Sequence, residues 1–248
     1  MHRICLAIPV YNENKSLEKT IVELSVGSSD YKLLFIDDGS TDGSSDTLNS
    51  FKGKYEFEVL AHQVNLGYGA ACRTGATWAF ANGFEWIIFA DSDLTNPPIE
   101  IINLSKRLLS SNFNVHKANR MPSESLVVVG FKYRHILSTC AKYFTNFFVG
   151  HNIQDPTNGF RAIRLDLYHQ FRLMSNDFSL IMEEVYEYIR LDVQVCNFDS
   201  CLGVRDEDQR LSSFRYSRKL VKRYIYWSIR CMIQRISGNL RLLKAKTF

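Results

Sequence analysis

Two aspartates, Asp91 and Asp93, directly follow a short apolar run that begins at Trp86. The length and composition of this run predict a strand, which would place both carboxylates at its carboxyl end. Hard divalent cations such as Mg²⁺ bind one or two protein carboxylates together with phosphate oxygens of a substrate. An isolated pair of this kind is more often a solvated turn, so a metal and diphosphate site is predicted only if neighbouring loops contribute further groups.

A second acidic segment, Asp37 to Gly43, follows another apolar run and carries three carboxylates within six residues. A carboxylate such as Asp37 could accept hydrogen bonds from a nucleobase or from ribose hydroxyls, while Gly39 and Gly43 permit a tight turn. An Asx-type turn followed by a helix cap is an equally good explanation. The segment therefore predicts either a nucleoside contact or a structural turn, and both interpretations stay open.

Residues 65–71 form a third loop, Asn-Leu-Gly-Tyr-Gly-Ala-Ala, which leads into a helical pattern. Its glycine spacing is close to the dinucleotide-binding fingerprint, but Cys72 occupies the position of the third glycine. That glycine allows close packing of helix and strand, so binding of NAD or FAD is not expected.

Apolar runs and amphipathic stretches alternate through the first 120 residues, a pattern typical of βαβ units with a mostly parallel sheet. Such sheets bind ligands at the carboxyl ends of their strands, which is where the three loops fall. The predicted strands are Ile4–Val10, Lys32–Asp37, Phe57–His62, Trp86–Asp91 and Phe113–Ala118, and the predicted helices are Lys15–Ser25, Gly43–Phe51, Gly69–Ala81 and Ile99–Ser110. A helix over Gly130–Phe148, a polar turn over Asp155–Arg161, helical stretches through Arg190 and a strand over Val193–Phe198 are predicted to follow.

Four motifs occur in a fixed order: Ile-Pro-Val-Tyr-Asn-Glu at 8–13, Asp-Asp-Gly-Ser-Thr-Asp-Gly at 37–43, the loop at 65–75, and Asp-Ser-Asp at 91–93. Together they resemble the family-2 glycosyltransferases, most closely the dolichyl- or polyprenyl-phosphate sugar transferases such as the mannosyltransferase. The likeness continues to Asp-Pro-Thr-Asn-Gly-Phe-Arg at 155–161 and covers about residues 4–214. It implies a GT-A fold, an α/β architecture with a mostly parallel central sheet flanked by helices.

Carried over position by position, the resemblance implies a nucleotide-sugar donor and a Mg²⁺ or Mn²⁺ ion bound by Asp91 and Asp93. Contacts to the nucleoside are implied for Pro9, Tyr11, Glu13 and Asp37. Thr95 stands where the mannosyltransferases usually have a glutamine near the metal, and residues 206–213 lack the usual glycine and lysine.

The resemblance also implies an acceptor site for the phosphate of a dolichyl or polyprenyl phosphate. The residues implied there are Arg120, Arg134 and Ser138, with Asp155 as a further substrate-binding residue, while Arg205 would neutralise the departing donor diphosphate. Spacing supports part of this set independently, because Arg134 and Ser138 are four residues apart on one face of a predicted helix. Asp93, Arg120, Arg134 and Arg205 are therefore the candidate catalytic residues.

The reaction implied is an inverting transfer of a hexose from a donor of the GDP-mannose or UDP-glucose type. A phosphate acceptor is already an anion, so it needs cations rather than a strong base. An alternative is transfer to a hydroxyl of a surface glycan, with Glu183 or Glu184 as the general base. A third interpretation is a non-catalytic scaffold at a membrane surface, against which the carboxylates of Asp91 and Asp93 argue.

The C-terminal segment is strongly basic. The whole chain has a formal net charge of +4, yet residues 209–248 contain eleven lysines and arginines and no acidic residue. Apolar residues recur there at helical spacing, at Val221, Ile225, Ile229, Met232, Ile236, Leu240 and Leu243. We therefore expect a glycosyltransferase domain at 1–214 and a basic amphipathic tail at 215–248, which either packs on the body or binds an anionic membrane surface.

No apolar run is long enough to span a bilayer, and the first residues do not have the apolar segment of a signal peptide. Six scattered cysteines without metal-binding spacing are typical of a reducing compartment. The predicted location is the cytoplasm, with peripheral association at the cytoplasmic face of a membrane. A nucleic-acid partner is not expected, and a separate membrane-protein partner stays open.

Overall fold

The computed structural model describes residues 3–26, 29–121, 132–150, 153–201 and 217–245. The strands are β1 (Ile4–Val10), β2 (Lys32–Asp37), β3 (Phe57–Ala61), β4 (Trp86–Phe89), β5 (Val115–Met121), β6 (Arg161–Arg164) and β7 (Val195–Cys201). The helices are α1 (Asn14–Ser25), α2 (Ser44–Phe51), α3 (Tyr68–Ala81), α4 (Pro98–Leu108), α5 (Lys132–Val149), α6 (Leu165–Tyr168), α7 (Leu180–Arg190) and α8 (Arg218–Ala245).

These strands form a seven-stranded sheet with the order β3-β2-β1-β4-β6-β5-β7. The first four strands are parallel neighbours, with β1 between β2 and β4. Helices cover both faces of this half, so a central strand such as β1 has no solvent face and consists of an uninterrupted apolar run. That is why the sequence predicts these strands to within two residues at each end.

The strand β6 is the element that the sequence analysis missed. A polar turn was predicted to end at Arg161 and a helix to follow, but residues Arg161–Arg164 pair antiparallel with both β4 and β5. The strand is too short to show a period, and arginines at both of its ends hide its apolar centre. The helix that does follow, α6, is a single turn.

The strands β5 and β7 complete the sheet as a parallel pair. Both run further toward the C-terminus than predicted, to Met121 and Cys201. The extension matters because it carries Arg120 to the same edge of the sheet as the acidic loops. The mostly parallel α/β architecture expected from the sequence is confirmed.

Two apolar layers fill the two faces of the sheet. One layer joins the sheet to α1, α2 and α4 through residues such as Leu17, Leu48 and Leu104. The other joins it to α3, α5, α7 and α8 through residues such as Ala76 and Cys231. The helix α8 is thus part of the core, and the predicted division at residue 214 falls outside the described residues.

None of the helices within the described ranges is long and apolar enough to cross a membrane.

Candidate functional site

The loops after β1 and β2 are joined by hydrogen bonds at the carboxyl edge of the sheet. The Asn12 amide donates to Ser40 Oγ at 3.0 Å, and the Thr41 amide donates to Asn12 Oδ1 at 2.7 Å. One turn further, the Glu13 amide donates to Ser44 Oγ at 3.0 Å. Asn12 adopts a positive φ of 56°, a conformation that asparagine tolerates better than most residues. The two loops therefore form one rigid rim.

The segment from Asp37 to Gly43 contains the Asx-type turn that was one of the two interpretations of its sequence. Asp37 is 2% exposed and accepts hydrogen bonds from the Ser40 amide at 3.0 Å and from the Ser45 hydroxyl. Asp42 accepts hydrogen bonds from the amide and the hydroxyl of Ser44, the first residue of α2. Partial burial acts to raise the pKa of Asp42, but these bonds outweigh it and the pKa lies below its usual range. The implied nucleoside contact of Asp37 stays a prediction.

Asp38 organises the third loop, a role that the sequence analysis did not assign. It is 3% exposed, and its carboxylate accepts from the amides of Leu66 at 2.9 Å and Gly67 at 2.8 Å. The same carboxylate contacts His62 Nδ1 at 2.7 Å, and His62 Nε2 contacts Thr74 Oγ1 at 3.0 Å. Nothing in the sequence around His62 signals this contact.

Glycines in the third loop are required by a close approach of residues 175–176. A Cβ atom on Gly67 would lie 2.2 Å from the carbonyl oxygen of Asn176, and one on Gly69 would lie 2.2 Å from that of Ser175. The Gly69 amide donates to the Asn176 carbonyl at 2.8 Å. The small residues thus allow this packing of backbone on backbone.

Asp91 and Asp93 follow β4 on a tightly bonded turn, and both are partly exposed. The Asp91 amide donates to Asn96 Oδ1 at 3.1 Å, and the Thr95 amide donates to Asp93 Oδ1 at 3.0 Å. The Thr95 hydroxyl donates to the same oxygen. The threonine that replaces the expected glutamine therefore orients Asp93.

The donor set fits a hard divalent cation that completes its shell with substrate oxygens. Among the described residues, no group of three or more histidine, cysteine or acidic side chains could enclose a metal by itself. Mg²⁺ and Mn²⁺ suit oxygen ligands, and Mg²⁺ is commonly bound by one or two carboxylates plus phosphate. Asp91 and Asp93 meet that requirement.

The segment 155–161 lies against this acidic turn, although the two are far apart in the chain. A Cβ atom on Gly159 would lie 3.5 Å from Tyr68 Oη and 3.8 Å from Asp91 Oδ1. The antiparallel pairing of β6 with β4 explains this approach, because it places the start of β6 beside the end of β4. The sheet thus brings two separately predicted motifs together.

Arg120 is held by Asp155 in a two-pronged ion pair. Its Nε donates to Asp155 Oδ2 at 2.8 Å and its Nη2 donates to Oδ1 at 3.1 Å, while Nη2 also donates to Thr157 Oγ1. The carboxyl of Asp155 is fully buried, and the Arg120 side chain is 26% exposed. Burial acts to raise the pKa of Asp155, but Arg120 overrides it and the pKa lies below its usual range.

The two glutamates considered as general bases are both engaged in structural contacts. Glu183 is 2% exposed and accepts from the amides of Met174 at 2.9 Å and Ser175 at 2.8 Å. Glu184 is fully buried and forms a two-pronged ion pair with Arg161. Neither carboxylate is available to an acceptor hydroxyl in this structure.

Other predicted site residues are placed only in part. Pro9 lies in β1, and Tyr11 and Glu13 are half-buried in the loop that follows. The backbone of α5 carries Arg134 and Ser138, but their side chains lie outside the described residues, as do Arg205 and the whole segment 206–213. The roles proposed for these residues stay predictions.

A family model, Glycosyl transferase family 2, matches residues 5–172. The chain belongs to this family, which confirms the resemblance and the expected enzyme class of glycosyltransferase. The match contains the three loops, the acidic pair and the segment 155–161.

Relatives of this chain include two enzymes named for undecaprenyl phosphate. The undecaprenyl-phosphate mannosyltransferase of Micrococcus luteus is 27% identical over 165 residues, which are 66% of this chain and 67% of that protein. The undecaprenyl-phosphate 4-deoxy-4-formamido-L-arabinose transferase of Photorhabdus laumondii is 35% identical over 108 residues, or 42% of this chain. The match spans about a third of that enzyme's length, at 33%.

A solved structure with the same fold is glucosyl-3-phosphoglycerate synthase from Mycobacterium tuberculosis, in complex with Mn²⁺, UDP-glucose and phosphoglyceric acid. It superposes with a TM-score of 0.64 at 18% identity, covering 93% of this chain and 80% of that one. Identity at this level establishes the fold alone, and the expected GT-A type of fold is confirmed.

Proposed function

We propose that this chain transfers a hexose, with inversion, from a nucleotide diphosphate sugar to a dolichyl or polyprenyl phosphate at a membrane surface. The observation that carries the proposal is the meeting of an acidic turn and a cationic group at one edge of the sheet. Asp91 lies against Gly159, and the same segment, through Asp155, holds Arg120. The two relatives named for undecaprenyl phosphate support this choice of acceptor.

On the donor side, Asp91 and Asp93 would bind Mg²⁺ or Mn²⁺ beside the diphosphate. A divalent ion there offsets the negative charge that grows on the leaving diphosphate. The chain's own contribution is to fix the two carboxylates, through Asn96 at the Asp91 backbone and Thr95 at the Asp93 side chain. Arg205 is proposed as a second group that meets the same charge, and the donor is of the GDP-mannose or UDP-glucose type.

On the acceptor side, Arg120 presents a planar guanidinium whose orientation Asp155 fixes. Arginine binds phosphate through paired N–H donors, which suits a phosphomonoester. Arg134 and Ser138 of α5 are proposed as further ligands of the same phosphate. Asp155 is proposed as a positioning residue because its carboxyl is fully buried. The anionic acceptor needs no general base. This agrees with the engagement of Glu183 and Glu184 in structural contacts.

A transfer assay tests the proposal directly. The full chain is incubated with Mn²⁺ or Mg²⁺, undecaprenyl phosphate and radiolabelled GDP-mannose or UDP-glucose, and the product is extracted into organic solvent. We expect label in the organic phase with one of these donors, and none when the metal is omitted or undecaprenol replaces the phosphate. Label appearing on a glycan acceptor instead, with the lipid unlabelled, would contradict the lipid-phosphate proposal.

A further inference from the structure

A buried lysine lies beneath the turn that connects the two halves of the site. Lys117 is in the middle of β5, its side chain is fully buried, and its Nζ donates to the backbone carbonyl of Asn158 at 2.7 Å. Arg161 is its directly opposite partner on β6. Directly opposite residues of an antiparallel pair project from the same face of the sheet, so two cations lie side by side in the interior.

The second cation holds the next carbonyl of the same turn. Arg161 Nη1 donates to the Gly159 carbonyl at 2.7 Å and to Tyr68 Oη at 3.1 Å. Two successive carbonyls, of Asn158 and Gly159, therefore each accept a hydrogen bond from a buried basic side chain. Gly159 of the same turn also approaches the acidic site, because a Cβ atom there would lie 3.5 Å from Tyr68 Oη and 3.8 Å from Asp91 Oδ1.

Only one of these two cations has its own carboxylate among the described residues. Glu184 forms a two-pronged pair with Arg161, and the next carboxylate, Asp155, is paired with Arg120. Burial and then the charge of Arg161 lower the pKa of Lys117 to about 7, although the charges of Glu184 and Asp155 offset part of that effect. A buried lysine without an ion pair of its own costs stability, and an apolar side chain of similar length would cost less.

We propose that Lys117 is a positioning residue of the donor site, which together with Arg161 fixes the Asn158–Gly159 turn against Asp91 and Tyr68. The inference rests on the proposed function, since it takes Asp91 to be part of the metal and diphosphate site. Lys117 does not touch substrate. Its effect passes through the turn, whose displacement would disturb Asp91 directly and the Asp155–Arg120 pair through the backbone.

The test compares Lys117→Met with a matched control, Val115→Ala, two residues earlier on the same face of β5 and also fully buried. Three quantities are measured on the full chain: the thermal midpoint, hydrogen exchange at the amides of Asn158 and Phe160, and Mn²⁺-dependent binding of UDP and GDP by calorimetry. For Lys117→Met we expect an unchanged or higher midpoint, at least tenfold faster exchange at these amides, and at least tenfold weaker nucleotide binding. For Val115→Ala we expect a lower midpoint with exchange and binding unchanged.

The results distinguish failure of the proposed function from failure of the positioning role of Lys117. If wild-type protein binds neither nucleotide with Mn²⁺, the proposed function fails and this inference fails with it. If wild type binds and Lys117→Met binds equally well, only the positioning role fails. Lys117→Gln is a second variant, in which the new side chain is polar but uncharged. We expect it to show an intermediate loss of nucleotide binding. Failure of both Lys117 variants to fold would show that the residue serves the core and would overturn the proposal.

Discussion

The carboxylates of Asp91 and Asp93 show how much a single residue depends on its immediate neighbours. Their charge is a property of the residue type, but their orientation is set by Asn96 and Thr95 through bonds of 3.1 and 3.0 Å. Arg120 is similar, because a buried carboxylate determines where its guanidinium points. At this scale, each charged group of the proposed site is oriented by a neighbouring group.

Replacing Asp93 by asparagine should remove metal-dependent donor binding while keeping the fold. The amide can still accept from Thr95, but it cannot supply the charge that a divalent ion requires beside a diphosphate. Calorimetric titration with UDP and GDP in Mn²⁺ should show binding weakened at least tenfold, about 1.4 kcal/mol or more. Asp192→Asn, an exposed position with a positive φ of 53°, is the control that removes one charge elsewhere. Equal binding by Asp93→Asn would contradict the metal assignment.

Replacing Arg120 by alanine should lower both acceptor use and stability. It leaves the Asp155 carboxyl buried without its cation, which typically costs about 3–5 kcal/mol of unfolding free energy. The double variant Arg120→Ala with Asp155→Asn should recover most of that stability but not the use of lipid phosphate, and nucleotide binding should stay near normal. Urea unfolding and the acceptor dependence of the transfer assay measure the two effects. Normal acceptor use by the double variant would remove Arg120 from the phosphate site.

Among the elements, α8 differs most from what its pattern suggested. The stripe predicted from the sequence begins with Val221, Ile225 and Ile229, which are 40–42% exposed. The face that packs on the body is another one, with Leu220 and Cys231 buried and Tyr224 and Trp227 partly buried against the core. One helix therefore has a face in the core and an exposed apolar face, so packing on the body and membrane binding do not exclude each other.

Exposed apolar residues of α8 should contribute to binding of anionic vesicles. Burial of an isoleucine side chain in an apolar environment is worth about 1.5–3 kcal/mol, and each basic residue near an anionic leaflet adds about 1 kcal/mol. Ile225→Ser with Ile229→Ser should weaken sedimentation with phosphatidylglycerol vesicles at least tenfold, and wild-type binding should fall as salt rises. Removal of residues 215–248 is a poor test because it would expose the core that α8 covers.

The matched control for that experiment is Val22→Ser on α1 with Val26→Ser directly after it, and both valines are exposed. The helix α1 packs on the opposite face of the sheet from α8. We expect this control to bind vesicles like wild type. Equal losses of vesicle binding in both double variants, or no loss in the α8 variant, would contradict the prediction that the exposed apolar face of α8 binds the membrane.

The molecule as a whole combines a rigid parallel half with a second half in which β6 reverses direction. The parallel half supplies the rim, and the reversal brings the segment 155–161 to that rim. The interior beneath the junction contains Arg161, Glu184 and Lys117, all fully buried. This charged interior links the global stability of the fold to pH.

The unfolding free energy should show a pH dependence that comes from Lys117. Its pKa is lowered from 10.5 in the unfolded chain to about 7 in the folded protein, so above pH 7 the unfolded chain binds the extra proton. The contribution of this group to stability therefore rises with pH between about 7 and 10.5. Measured by urea unfolding at pH 6.5 to 8.5, the unfolding free energy of wild type relative to Lys117→Met should rise with pH, by at most about 1.4 kcal/mol per pH unit. A constant difference would show that Lys117 stays charged.

Local patterns alone determined the strands β1 to β4, the helices between them and the rim on which the loops lie. Buried parallel strands need continuous apolar runs, and loops must follow them, so both leave a mark within a few neighbouring residues. The acidic pair was also marked, by its residue types at a strand end, whereas Arg120 and the segment 155–161 were marked by the resemblance to the family.

Tertiary structure alone decided the contacts between residues that are distant in sequence. The pairing of Asp38 with His62, of Arg161 with Glu184 and of Lys117 with the Asn158 carbonyl depends on strand order and on the direction of β6. The choice of the packed face of α8 depended likewise on the surfaces of α5 and α7. Charged residues and apolar stripes are visible in the sequence. Which side chains contact each other is fixed only when the sheet brings separate segments together.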